Sequence, residues 1–135
     1  MNEEQDMLRT DTVAHKPADL QQRLVEFAVR VIGVGTALPA NKVGAHIASQ
    51  IVRAGTSPAA NYAEAQSAEA RADFIHKIKI CLKELRETHV WLQIIAAAAL
   101  IKTASKLALL LDECNQLIAI FVSSINTARR KTGAA

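Results

Sequence analysis

Apolar residues recur at helical spacing through the middle of the chain, from Ser67 to Leu100. This stretch contains no glycine or proline, and its apolar side chains follow steps of four and three, interrupted only by Thr88. A helix buried along one side has this period, whereas the side chains of a strand alternate. The pattern therefore predicts a long third helix with Ser67 as its N-cap. Its apolar row is Phe74, Ile78, Cys81, Leu85, Leu92 and Ile95.

A first helix is predicted to begin at Pro17, because proline is tolerated in the first helical turn. Pro39 ends this helix, since the residue before a proline is disfavoured in the helical region. The glycines Gly33 and Gly35 weaken its last turns. The apolar row of this helix is Leu20, Leu24, Phe27, Val31, Val34 and Leu38.

Asn41 is the predicted N-cap of a second helix. Pro58 disturbs the middle of this segment, because it lacks an amide donor and its ring clashes with the preceding turn. The helix is therefore expected either to kink at Pro58, or to end there and be followed by a short helix capped by Ser57. The sequence leaves both alternatives open. The apolar face of this segment is Val43, Ile47, Ile51 and Ala54.

A turn near Leu100–Thr103 is expected to separate the third helix from a fourth, because one helix of about 60 residues would leave its apolar face without partners. The C-terminal end of the sequence is basic, and its cations are expected to lie near the negative end of the dipole of the fourth helix. The fourth apolar row is Leu107, Leu111, Cys114, Ile118, Phe121 and Ile125.

These four helices predict an all-α fold, an up-and-down antiparallel four-helix bundle. The expected domains are a flexible acidic arm at 1–16, the bundle at 17–130 and a frayed basic tail at 131–135. Helices three and four carry more apolar surface than one bundle can bury, so a homo-oligomer is predicted. The residues outside the apolar rows that carry this prediction are Ile80, Leu109, Ile120 and Val122.

Composition adds little to this description. Half of the 135 residues are hydrophobic and the net charge is only +3, which is too small by itself to indicate a nucleic-acid-binding protein. Residues 1–19 hold five acidic and two basic side chains, so the remaining chain is more basic. The acidic start is unlike a secretory signal, and a soluble cytoplasmic protein is expected. Cys81 and Cys114 are interpreted as reduced core residues.

Several strings resemble the bacterial 23S ribosomal RNA intervening-sequence proteins, over about residues 20–130. They are Asn-Tyr-Ala-Glu-Ala at 61–65, Arg-Ala-Asp-Phe-Ile-His-Lys-Ile-Lys-Ile at 71–80, Leu-Lys-Glu-Leu-Arg-Glu-Thr at 82–88, Trp-Leu at 91–92 and Ser-Ser-Ile-Asn-Thr-Ala-Arg at 123–129. The resemblance implies a four-helix protomer, a ring of five protomers and no established enzymatic activity. It also implies a relation to the accessory subunit of diversity-generating retroelements, a basic pentameric ring that binds nucleic acid and a reverse transcriptase.

A row of basic residues on helix three is the candidate nucleic-acid surface. His76, Lys79, Lys83 and Arg86 follow at steps of three, four and three, and such a row could contact successive phosphates. The alternative, which the sequence favours, is a solvated helix face with an ion pair between Lys83 and Glu87. The basic residues at the chain end are further candidates, although they are more often helix-end residues. They are Arg129, Arg130 and Lys131.

Carboxylates within the apolar patterns could hold metal ions in a bundle. That chemistry uses paired Glu-x-x-His motifs, and no glutamate here stands three residues before a histidine. Ion pairing within or between protomers, with Arg53, Arg71 or Arg86, is the interpretation we adopt. The carboxylates concerned are Glu64, Glu84, Glu87 and Glu113.

The remaining candidate residues are assigned to packing and interfaces. Asn61 and Tyr62 are expected to pack or to form an interface rather than to bind a ligand, and Trp91 is the predicted anchor between helices or subunits. No phosphate-binding loop and no nucleophile with a base is present, so no enzyme, cofactor, metal or small-molecule substrate is predicted. The leading hypothesis is a homopentameric interaction scaffold. The alternatives are a nucleic-acid-binding accessory factor and a carboxylate-bridged metal enzyme.

Overall fold

The computed structural model describes residues 17–131, and these residues form four α-helices and no strand. Helix α1 spans Pro17–Ala37, α2 spans Lys42–Gln66, α3 spans Arg71–Ala97 and α4 spans Ala104–Lys131. The predicted all-α class and helix order are confirmed. The prediction for the arm at 1–16 lies outside the described residues, and so does the prediction for the tail at 131–135 except for Lys131, which is the last residue of α4.

Each helix packs against the next in sequence, and α4 returns to contact α1. The pairing between α1 and α4 is much sparser than the other three. In the core, the rings of Tyr62 and Phe121 meet edge to face, with centroids 5.8 Å apart. Because these two residues lie on α2 and α4, the core is continuous across the bundle.

Two glycines let α1 approach α2 closely. A Cβ atom on Gly55 would lie 2.6 Å from Cγ1 of Val31, and one on Gly35 would lie 2.8 Å from Cγ2 of Val52. Each helix therefore places a valine against a glycine of the other. The first predicted helix is confirmed, since α1 ends just before Pro39 and buries Leu24.

Helix α2 begins as the sequence predicts. The side-chain oxygen of Asn41 accepts a hydrogen bond of 2.8 Å from the amide of Gly44, which satisfies one of the free donors of the first turn. Ile47 and Ile51 are buried as expected, but the prediction that Val43 belongs to the buried face is wrong. Val43 is exposed because its side chain is turned away from the core at the end of the bundle.

Helix α2 continues through Pro58 without a break, so the alternative in which the helix ends there and a short helix follows is wrong. The proline is buried, and the thiol of Cys81 on α3 donates to its carbonyl over 3.5 Å. Ser57 does not cap a new helix. Its hydroxyl and its backbone carbonyl both accept hydrogen bonds from the side-chain amide of Asn61. Tertiary packing against α3 thus stabilises a helix that local rules would interrupt.

Ser67 was predicted to cap the third helix, and this prediction is wrong. Its amide donates to the carbonyl of Glu64 over 3.1 Å, so it closes the last turn of α2. Helix α2 ends at Gln66, and Ala65 in its last turn is buried in the core. Helix α3 starts at Arg71 without a side-chain cap.

The predicted turn between the third and fourth helices is confirmed. Ala99 has a φ of 51°, and the amides of Leu100 and Ala99 donate to the carbonyls of Ile95 and Ala96, each over 3.1 Å. This paired arrangement satisfies carbonyls at the end of α3 and reverses the chain, with alanine in the left-handed position that glycine usually occupies.

The apolar row of α4 differs from the predicted one at two positions. Leu110 and Leu117 are fully buried, whereas Leu111 and Ile118 are only half-buried beside them. Leucine occupies positions 109–111 in succession, so spacing alone could not choose among them. The predicted core positions of Cys81 and Cys114 are confirmed, and both residues are free thiols.

Replacing Gly55 with alanine is expected to lower the free energy of unfolding by about 1–3 kcal/mol, because the added methyl would overlap Val31. Gly33 is the matched control, since a Cβ atom there meets nothing within 4 Å. Gly33→Ala is expected to raise stability by about 0.5–1 kcal/mol through helix propensity. Urea unfolding at one fixed protein concentration measures both, and equal effects of the two changes would contradict this account of the α1–α2 contact.

Candidate interaction surfaces

Arg53 connects α2 to α3 on one outer face of the bundle. Its guanidinium forms ion pairs with Glu84, over 3.1 Å, and with Glu87. The indole NH of Trp91 donates to the same Glu87 carboxylate over 3.0 Å, and the imidazole ring of His46 packs edge-on against the indole. The expected pairing of these two acids with Arg53 is confirmed. Trp91 is half-buried and anchors α3 against α2.

Glu64 has a different partner from the ones considered in the sequence. Its carboxylate accepts from the amine of Lys77 over 2.6 Å, at an exposed position farther along the same α2–α3 face.

Tyr62 is buried, and loss of hydration raises the pKa of its phenol. The Asn61 amide is satisfied within α2. The structure thus places both residues in the packing of α2.

Glu113 pairs with Arg23, a residue that sequence reasoning missed. The guanidinium donates two parallel hydrogen bonds of 2.7 and 2.8 Å to the carboxylate and a third to Gln116. The side chains are only 11% and 18% exposed, so this is a largely buried bridge between α1 and α4. Ninety positions separate the two residues along the chain, and no local pattern could have found the pair.

The basic stripe, defined as His76, Lys79, Lys83 and Arg86, is exposed along the outer face of α3. The ion pair expected between Lys83 and Glu87 is not formed, because Glu87 turns towards Arg53. The amine of Lys83 instead lies 4.0 Å from the Glu84 carboxylate, which Arg53 also binds. Glu84 and Glu87 therefore pair mainly with a cation of α2 rather than with the basic stripe.

The basic residues at the end of α4 are also exposed. The last turn holds Arg129, Arg130 and Lys131, and their positive charges interact favourably with the negative end of the helix dipole. The guanidinium of Arg130 donates to the hydroxyl of Thr127 over 3.4 Å. This turn lies at the same end of the bundle as the start of α3.

The four residues predicted to add apolar surface outside the bundle core differ in their exposure. Leu109 is 65% exposed, whereas Ile80, Ile120 and Val122 are half-buried, and Ile120 packs against the core. A larger exposed apolar row lies on α1 and was missed. We call it the α1 stripe: Val25, Val29 and Ile32, which are 41%, 62% and 44% exposed. Their spacing of four and three was a sequence signal for a second apolar face on α1.

A second exposed apolar surface lies on α2 and α3. Val43 precedes His46 by one turn, and Ile94 follows Trp91 by one turn, so both extend the surface around the contact between these rings. We call Val43, Val90 and Ile94 the α2–α3 patch. All three are exposed.

The described residues hold no group of three or more histidine, cysteine or acidic side chains placed to bind a metal ion. Burial raises the pKa of both the Cys81 and the Cys114 thiol to about 12, so neither is a thiolate at neutral pH. Their thiols donate instead to the carbonyls of Pro58 and Leu85. These cysteines stabilise helix contacts within the core.

Helix α4 is long and apolar enough, by length and composition, to cross a membrane, and it is the one described helix with this property. Its residues Cys114, Leu117 and Phe121 are fully buried among the other helices. Of its most apolar 18 residues, 28% are buried inside the structure.

The sequence profile of the 23S rRNA-intervening sequence protein family matches residues 16–123. The chain belongs to this family. A crystal structure from Bacteroides thetaiotaomicron, a protein with unknown function from the S23 ribosomal protein family, is 33% identical. The similarity covers 78% of this chain and 96% of that chain, with a TM-score of 0.72. No curated protein matches. The family resemblance predicted from the sequence is confirmed, and the similar structure carries no assigned function.

In this family member, Arg23→Ala is expected to lower the free energy of unfolding by about 2–3 kcal/mol, somewhat below the cost of breaking a fully buried pair. The reason is that the Glu113 carboxylate stays largely buried after its guanidinium is removed. Lys77→Ala, which breaks the exposed pair with Glu64, should cost less than about 1 kcal/mol. Chemical denaturation of both variants tests this ranking, which a larger effect of Lys77→Ala would contradict.

Proposed function

We propose that this protein is a non-enzymatic, homo-oligomeric helical scaffold whose activity is to assemble and to present surfaces to other molecules. The observation that carries the proposal is the α1 stripe. Val25, Val29 and Ile32 are branched apolar side chains at i, i+4 and i+7, turned outward on a helix whose opposite side already packs in the core. A helix that is apolar on two sides needs a second partner, and another copy of the chain is the simplest one.

The oligomer we propose is a closed ring of five protomers. The number five rests on the resemblance to the intervening-sequence family. A ring pairs two different surfaces of neighbouring protomers. The α1 stripe and the α2–α3 patch are two such surfaces, since they lie on different helices and each exposes branched apolar residues such as Val29 and Val43. Leu109, also exposed, adds apolar area on α4.

Static light scattering of the purified chain is expected to give five times the mass of 14.6 kDa. Val29→Glu places a charge in the α1 stripe and should shift the protein towards monomer while leaving its helicity unchanged. Asn115→Glu, on the exposed outer face of α4, is the matched control and should leave the mass unchanged. A monomeric wild-type chain at micromolar concentration would contradict the proposal.

Nucleic-acid binding is the second function we propose, and one observation favours it. Arg53 occupies Glu84 and Glu87, so among residues 17–131 the one ion pair of the basic stripe is the 4.0 Å contact of Lys83 with Glu84. Repetition of this stripe around a ring would multiply the positive surface. Contacts to phosphates would then provide affinity without base specificity.

Lys79→Gln combined with Lys83→Gln is expected to weaken binding to single-stranded RNA or DNA. Fluorescence anisotropy across a salt series measures it, and the slope of log K against log salt should fall in magnitude by about 1.4, or 0.7 per lost contact. Lys42→Gln with Lys102→Gln, two exposed cations at the opposite end of the bundle, is the control. Wild-type affinity that is absent at low salt, or insensitive to salt, would exclude this function.

A further inference from the structure

The sparse pairing of α1 with α4 leaves a cleft at one end of the bundle. It lies between the last turns of α1 and the first turns of α4, and its volume is about 470 Å³. Val34, Leu107 and Leu110 form its apolar base, and the two leucines are almost completely buried. The exposed side chain of Leu109 extends the apolar wall outward. We call this space the α1–α4 cleft.

Small side chains on α1 keep the cleft open. Gly33 and Ala37 line it, and a Cβ atom added at Gly33 would meet no heavy atom within 4 Å. Larger residues at these positions would fill the space between the two helices. The cleft therefore follows in part from the small residues that α1 places on this side.

Two cations stand at this apolar cleft. Arg30 and Lys106 line it from α1 and α4, and both are exposed. Within residues 17–131, neither has a carboxylate within ion-pair distance. Glu113 on α4 binds Arg23, and none of the described residues that line the cleft is acidic. The start of α4, at Ala104, adds the positive end of a helix dipole.

We propose that the α1–α4 cleft binds a single-chain amphiphile with a carboxylate head, such as a free fatty acid. The alkyl chain lies on Val34, Leu107 and Leu110, and the carboxylate lies between Arg30 and Lys106. Small-molecule sites are concave, mainly apolar clefts of about 300–1,000 Å³ with few polar groups, and this cleft has those properties. A partner helix fits less well, because one turn of helix about 10 Å wide already fills roughly 400 Å³.

This proposal does not depend on the oligomer or on nucleic-acid binding, since its residues lie outside the α1 stripe and the basic stripe. The test uses the full chain and dodecanoate, kept below its micelle-forming concentration, in isothermal titration calorimetry. Saturable binding with one site per chain is expected. Decanoate, two methylenes shorter, should bind about an order of magnitude more weakly, because each methylene contributes about fourfold.

Two variants separate the head-group contacts from the tail contacts. Arg30→Gln with Lys106→Gln should weaken dodecanoate binding at least tenfold, whereas Lys79→Gln with Lys83→Gln, which changes the charge equally, should not. Gly33→Leu should abolish binding by filling the cleft. Because nothing lies near that position, Gly33→Leu is expected to fold at least as well as the wild type, and its melting temperature checks this.

Dodecyltrimethylammonium carries the same alkyl chain with a positive head and serves as the ligand control. Its failure to bind, together with the two variant effects, would support the carboxylate site. Binding as tight as that of dodecanoate would overturn the proposal, as would full affinity in the Arg30→Gln and Lys106→Gln variant. Dodecanoate binding that is absent in the wild type but present in monomeric Val29→Glu would show that a second copy covers the cleft, which also overturns it.

Discussion

Close contact between α1 and α2 determines the arrangement of the rest of the bundle. Val31 packs against Gly55 and Val52 against Gly35, at a separation at which a Cβ atom on either glycine would overlap the valine. Helix α1 is thereby held closely against α2. The α1–α4 side is left sparse, with the Arg23–Glu113 bridge crossing it.

The Arg23–Glu113 bridge shows why a polar contact is used on the sparse side. Apolar side chains stabilise a helix–helix contact only when they fill the space between the helices. Small residues such as Gly33 leave space at one end of the α1–α4 contact. A bidentate ion pair acts across a defined geometry and fixes the alignment of two helices that are distant in sequence. The α1–α4 cleft lies on the same side of the bundle, where α1 and α4 pack sparsely.

Charge on the surface is also decided by helix packing. Glu84 and Glu87 lie on the side of α3 that faces α2, so Arg53 binds both, and Trp91 completes the arrangement through its indole NH. The cations on the other side of α3 keep their exposure. One face of the bundle thus becomes nearly neutral and the neighbouring face basic, although the chain as a whole carries a net charge of only +3.

Local sequence determined the helices, their order and most of their boundaries. Asn41 caps α2 because its side chain reaches an amide three residues away, and the apolar periods identify most of the core because helical geometry is local. The family strings were likewise readable without coordinates. Tertiary structure decided what depends on residues far apart: the uninterrupted helix through Pro58, the end of α2 at Ser67, the burial of Leu110 rather than Leu111, and the pairing of Arg23 with Glu113. Each of these is set by which neighbouring helix lies opposite, and spacing along one helix carries no information about that neighbour.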